Sequence, residues 1–181
     1  MEASSLIRLF FAVEPSDEVC GLLEHASSIF KEHSISGRFS PRNKYHLTLA
    51  YIGTSQRSDL LLPILQEVSV PPFTLTVSGA GEFPGKNGSV LWAGIEPSVP
   101  LMNTVSFLRE RLQAEGFDLT NRPFSPHITL GRNVKLEESF IEQGKLLIPR
   151  TSFTVSRLLL MGTDPHGSGL KYETAFVHEL K

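Results

Sequence analysis

The spacing of apolar and polar positions changes several times along the chain. Residues 6–13 form an apolar run of strand length, broken by Arg8. Pro15-Ser16-Asp17 supplies a helix start, with Ser16 or Asp17 as the cap. Val19, Leu22, Leu23, Ala26, Ile29 and Phe30 then recur at helical spacing, which predicts an amphipathic helix over residues 17–33. Residues 45–52 alternate, with Tyr45, Leu47, Leu49 and Tyr51 on one face and His46, Thr48, Ala50 and Ile52 on the other. That pattern predicts a strand closed by Gly53. A helix is predicted over residues 58–68, with Pro63 near its first turn. Two apolar runs, 73–83 and 89–95, flank an Asn87-Gly88 turn and read as a hairpin. Leu101, Val105, Leu108 and Leu112 predict a helix over 100–115, ended by Gly116. Residues 126–134, 152–161 and 171–180 read as strands, and 136–146 as a short helix.

Strands adjoining through tight turns exclude a purely parallel sheet, so the prediction is an α+β fold with mainly antiparallel sheets. No low-complexity tract or linker divides the 181 residues, which read as one domain over 1–181. Seventeen Lys and Arg against nineteen Asp and Glu give a net charge of -2. This balance excludes a strongly basic, salt-driven nucleic-acid binder while permitting a local basic pocket. The lone cysteine, Cys20, cannot make an internal disulfide or a cysteine-based zinc site, which favours a reducing, cytoplasmic setting. The first apolar run is too short to span a membrane and is followed by Glu14-Pro15, unlike a cleavable leader.

The chemistry is carried by a repeat. His46-Leu47-Thr48-Leu49 returns in the second half as His127-Ile128-Thr129-Leu130. Phe39-Ser40-Pro41 lies upstream of the first copy and Phe124-Ser125-Pro126 abuts the second. Each copy sits on a predicted strand, so His and Thr share one face and the two aliphatic residues face a core. Halves related by a pseudo-twofold axis would turn both His/Thr pairs to one cleft. Two imidazoles can then hold opposite protonation states, as in-line hydrolysis of a phosphodiester requires. The threonine hydroxyls can donate to phosphate oxygens. Arg132, just beyond the second copy, is a candidate bidentate phosphate ligand. No carboxylate pair or third histidine lies at ligand spacing, so no metal and no cofactor is expected.

These residues resemble the two-histidine (2H) phosphoesterase superfamily, through one His-x-Thr-x motif per half. Arg8-Leu9-Phe10-Phe11-Ala12-Val13, Tyr45 through Gly53, Val90-Leu91-Trp92-Ala93-Gly94-Ile95 and Arg122 through Arg132 are similar to its RNA 2′,3′-cyclic phosphodiesterase branch, also called the 2′-5′ RNA ligase family. The resemblance implies a bilobal α+β fold with a central cleft. It implies hydrolysis of a ribose 2′,3′-cyclic phosphate at an RNA 3′ end, or on a nucleotide, to a 2′-phosphomonoester. His46 would be the general acid on the departing 3′ oxygen and His127 the general base on water. Thr48, Thr129 and Arg132 would hold the phosphate. Joining of RNA ends through a 2′-5′ linkage would be the reverse chemistry. The stretch from Met161 to Gly169 departs from the family's more usual tyrosine/arginine/serine pattern, which bears on substrate preference.

Other assignments stay open at this point. The substrate could be a 2′,5′-linked oligonucleotide or a small cyclic nucleotide phosphate, or the cleft could bind RNA ends without turnover. A monomer without membrane attachment is expected. Arg8, Arg38, Arg42 and Lys44 could steer RNA or simply form a solvated rim. Phe11 could stack on a base but is expected in the packing, as is Trp92, with Cys20 in the core, His25, His33 and His178 exposed or structural, and His166 in a loop.

Overall fold

The computed structural model describes residues 8–55, 57–163 and 172–181. Its first strand, β1 (Arg8–Val13), leads into α1 (Asp17–Glu32). Ser16 caps α1 by accepting from the Val19 N–H at 3.3 Å, and Asp17 and Glu18 stand in the first turn, where the helix dipole favours negative charge. There follow β2 (Ser34–Phe39), β3 (Leu47–Thr54), α2 (Leu61–Gln66), β4 (Phe73–Phe83), β5 (Ser89–Ile95) and α3 (Val99–Ala114). The chain closes with β6 (His127–Leu136), α4 (Glu138–Glu142), β7 (Thr151–Val155), β8 (Arg157–Thr163) and β9 (Tyr172–Glu179). Like α1, α3 is 16 residues long and serine-capped, by Ser98 on the Leu101 N–H.

Among the described residues all nine strands join one curled antiparallel sheet, in the order β7-β4-β5-β6-β3-β1-β8-β9, with β2 pairing β6 as a branch. The order is symmetric about the β6–β3 junction. On one side β1-α1-β3 is a strand–helix–strand unit, and on the other β5-α3-β6 repeats it. The next long strand of each unit crosses over: β4 follows the first unit but pairs β5, and β8 follows the second but pairs β1. Leu9, Phe11 and Val13 of β1, Leu158 and Leu160 of β8, and Leu23 and Phe30 of α1 belong to the main core. The opposite face of the same two strands carries a second buried cluster of Phe10, Ala12, Leu159 and Met161. Burial on both faces explains why β1 and β8 read as continuous apolar runs without alternation.

Several expectations change. The predicted strand over 152–161 is two strands split at Ser156, and they belong to opposite halves of the sheet: β7 pairs β4, and β8 pairs β1 and β9. The helix expected over 58–68 is a 3-10 turn at Ser58–Leu60 followed by α2, and that expected over 136–146 shrinks to α4, because β6 takes Leu136 and the chain turns at Gly144, at φ 65, just past Glu142. β2 was not expected, since its residues are mostly exposed and show no alternation. Tyr51 is on the opposite face from the one its spacing implied; it is 51% exposed, while Leu47 and Leu49 are buried. The cause is a β-bulge in β3: Phe11 pairs Ala50 but Ala12 pairs Thr48, so Leu49 is the extra residue and the alternation restarts beyond it.

Candidate active site

The two motif strands meet at one residue pair. Leu47 of β3 lies opposite Ile128 of β6, antiparallel, and these are the same position in the two copies of the repeat. The pseudo-twofold axis therefore passes through that pair. Both side chains are buried, at 1% and 0% exposure, so the neighbouring positions point to the other face of the sheet. One step to either side, the register sets His46 across from Thr129 and Thr48 across from His127. Each histidine thus stands beside the threonine of the other copy, and all four side chains are half-buried on one face.

Each motif is anchored just before its histidine. Tyr45 is buried and donates its hydroxyl proton to Ser27 Oγ of α1 at 3.1 Å, and the Ile95 N–H donates to the Pro126 carbonyl at 3.0 Å. The His46 Nδ1 lies 2.8 Å from the Lys44 carbonyl, and the His127 Nδ1 lies 2.7 Å from the Ser125 carbonyl. A carbonyl only accepts, so both Nδ1 atoms carry the proton and both rings present Nε2 to the site. The residue two positions before each histidine thus sets its tautomer.

Arg132 joins these groups through a second bulge. It is five residues beyond His127, an odd number that regular alternation would turn to the core face. Trp92 pairs Thr129 while Leu91 pairs Gly131, so Leu130 is the extra residue and Arg132 swings to the histidine face. Asn133 follows at φ 54, and the Gly88 of the β4–β5 hairpin, at φ +127, packs against it. A Cβ on Gly88 would lie 2.6 Å from the Asn133 carbonyl carbon, so a side chain there would displace the bend that carries Arg132.

Burial pushes both imidazoles below their ordinary pKa of 6.5, against the opposing effect of the carbonyl bonds. The Arg132 charge lowers both further, and the charge on His127 lowers His46. Arg132 is thus within electrostatic reach of both rings, and the rings of one another. Aromatic walls flank the pair. Phe10 lies 5.0 Å from the His46 ring centroid, and Phe83 meets His127 edge-on at 5.0 Å. Trp92 stands 6.4 Å from His127 and packs on Phe83 at 5.2 Å. Its indole N–H is buried without a hydrogen-bond partner.

Sequence reasoning named His46, Thr48, His127, Thr129 and Arg132, and the sheet brings all five to one face. It missed Tyr51, the counterpart of Arg132 five positions past the first histidine, which the bulge in β3 turns to the same face. Counting from both histidines would have found it. Phe11 is fully buried in the core, not stacked at the site, and Cys20 is buried as expected. Arg42 leaves the basic rim, since Asp17 at 3.2 Å and Glu24 at 3.6 Å hold its guanidinium. His33 pairs Glu137 and stacks on Phe140, and the His178 Nε2 bonds the Val68 carbonyl. His166 and residues 164–171 of the loop lie outside the described residues. A cavity of about 640 Å³ lies elsewhere, between the start of α1 and residues 41–45, and none of the five site residues lines it. Among the described residues no group of three or more His, Cys, Asp or Glu is placed to hold a metal ion. No helix among them is long and apolar enough to cross a membrane.

Known proteins share this sequence pattern and this fold. The chain is 32% identical over 130 residues to the RNA 2′,3′-cyclic phosphodiesterase of Escherichia coli strain K12, covering 70% of this chain and 72% of that one. It is 32% identical over 132 residues to the protein of the same name from Archaeoglobus fulgidus, with the same coverage. The crystal structure of E. coli LigT in apo form superposes with a TM-score of 0.79 at 27% identity, covering 98% of this chain and 99% of that chain. LigT complexed with 3′-AMP also superposes with a TM-score of 0.79 at 27% identity, over 97% and 98% of the two chains. The sequence profile of the 2′-5′ RNA ligase superfamily matches residues 6–167, and the chain belongs to that family.

Proposed function

We propose that the chain hydrolyses a ribose 2′,3′-cyclic phosphate, at an RNA 3′ end or on a nucleotide, to the 2′-phosphomonoester. The observation that carries this reading is the Leu47–Ile128 pairing, which sets the two histidines on either side of one axis with Nε2 presented by both. A phosphorus atom near that axis has an imidazole on each side, as in-line displacement requires. His127 Nε2 takes a proton from water as the oxygen bonds to phosphorus. The bond from phosphorus to the 3′ oxygen breaks, and His46 Nε2 gives that oxygen its proton. The histidines exchange protonation states, and solvent resets them. Thr48, Thr129 and Arg132 hold the non-bridging oxygens. A 5′-hydroxyl in place of water opens the same ring, with the 3′ oxygen again departing, and leaves a 2′-5′ linkage.

The names of the E. coli and A. fulgidus relatives support this substrate, and the 3′-AMP complex of LigT supports a nucleotide ligand on this fold. Neither half of the sheet supplies both histidines, so the whole chain acts as one domain, and a single copy completes the site. The lone, buried cysteine fits a reducing, cytoplasmic setting. The test is incubation of an oligoribonucleotide ending in 2′,3′-cyclic phosphate, with and without excess chelator, and identification of the product. A 2′-phosphate formed equally in both supports the proposal. A 3′-phosphate would reverse which oxygen departs, and binding without turnover would make the chain an RNA-end binding module.

A further inference from the structure

Beyond the five site residues, the same face of the sheet carries an unneutralised basic strip. Arg38 of β2 lies directly across from Arg132 of β6, and Ser36 lies across from Lys135. Next to the arginine pair, on the motif side, Phe39 lies opposite Gly131, and a Cβ on Gly131 would point to the Val134 and Phe39 side chains. Phe39 and Val134 belong to the core side, so Arg38 and Arg132 project from the opposite face, the one that carries His46 and His127.

Like charges directly across an antiparallel pair are destabilising. Four other arginines are held by carboxylates, Arg42 on Asp17 and Glu24, Arg111 on Glu67, Arg150 on Glu96 and Arg157 on Glu14, while Arg57 lies over the Phe117 ring and Arg109 donates to the Thr120 carbonyl; none of these faces another arginine across a strand pair. Among the described residues Arg38, Arg132 and Lys135 have no carboxylate partner, and all three are exposed. Two adjacent guanidinium groups left without an acid, at the edge of a phosphate site, call for an anion between or beyond them. One phosphate is already assigned to Arg132. The chemistry that supplies a further phosphate beside it is the backbone of a nucleic-acid strand.

Resting on the cyclic phosphodiesterase reading, we infer that Arg38 and Lys135 form a track for the internucleotide phosphates of the RNA preceding its cyclic end, running along β2 and β6 away from the histidines. The enzyme therefore gains affinity with chain length. Arg38 accepts the first internucleotide phosphate, and Lys135 extends the contact on longer strands.

The test compares wild type, Arg38→Gln, Arg38→Lys and Lys135→Gln on adenosine 2′,3′-cyclic phosphate and on a tetraribonucleotide ending in 2′,3′-cyclic phosphate. The expected result for Arg38→Gln is a loss of kcat/KM on the tetranucleotide at least tenfold larger than on the mononucleotide, with Arg38→Lys recovering part of it. A tetraribonucleotide ending in 2′-phosphate, labelled with fluorescein at its 5′ end, measures binding separately. Its log Kd against log salt should flatten by about 0.7 for each lost phosphate contact. Thermal stability should be unchanged or raised in Arg38→Gln, since a like-charge pair is relieved. An equal loss on both substrates would place Arg38 on the terminal phosphate and overturn the track, as would no loss on either. Wild type that turns over neither substrate would refute the cyclic phosphodiesterase reading instead, and the binding slopes alone would then decide the track.

Discussion

The indole of Trp92 sits in a slot that only glycine leaves open. Gly81 lies across from Trp92 on β4, and a Cβ there would stand 2.4 Å from Trp92 Cζ2 and 2.5 Å from Cη2. Gly81→Ala must therefore move the ring by about 1 Å to reach ordinary contact. Phe83 packs on the ring at 5.2 Å and His127 stands 6.4 Å away, so movement disturbs both neighbours. Overpacking of this kind costs about 2 kcal/mol. For a chain of this size that corresponds to a fall in Tm of about 4–8 °C. Because displacement is passed to His127, the base in the proposed mechanism, kcat should fall about 10- to 100-fold. Thermal unfolding and steady-state kinetics measure the two effects. Trp92→Phe removes the fused ring and the unpartnered N–H, so the Gly81→Ala/Trp92→Phe double variant should be more stable than additivity allows. If Gly81→Ala leaves Tm unchanged, or Trp92→Phe does nothing to offset it, the packing argument around His127 is wrong.

His46→Ala and His127→Ala should each lower kcat by roughly 10²–10⁴, and a near-normal rate in either would remove that residue from proton transfer. Since burial lowers the pKa of both rings, the kcat/KM profile of the free enzyme should have both limbs displaced to the acid side of their ordinary positions. The bound phosphate anion raises both values, so the kcat profile should lie at higher pH; coincident profiles would count against it. The same lowering makes the neutral rings stabilising above 6.5, with that stability lost as pH falls through their folded values. Urea unfolding of His46→Gln should therefore show a weaker acid dependence than wild type. Asn133→Val places a β-branched residue at φ 54 and should cost about 1–2 kcal/mol, while Asn133→Gly should be tolerated; equal Tm values would deny the bend its role in aiming Arg132.

The site was legible in the sequence because its signal is local and doubled. Both histidines, both threonines and Arg132 were read from two short motifs, and the pairing of Leu47 with Ile128 is what repetition about an axis demands. What escaped was decided by partners far along the chain. β2 has little apolar pattern of its own and is a strand because β6 offers it an edge. The division at Ser156 follows from which strands lie on either side, since residues 152–161 read as one run. The bulges at Leu49 and Leu130 are single inserted residues with no compositional mark, yet they turn Tyr51 and Arg132 to the site. Alternation alone would have sent both inward.

The exchange of β4 and β8 between the halves has a consequence for how the protein could be divided. A nick within residues 84–88 would leave an amino-terminal fragment ending in β4, whose partners β5 and β7 lie on the other piece, and a carboxy-terminal fragment carrying β8, whose partner β1 lies on the first. Each fragment holds one of the two motif histidines and a strand whose partner lies on its counterpart. Reassociation would then be reciprocal strand donation, and turnover would report that two separately expressed pieces had found one another.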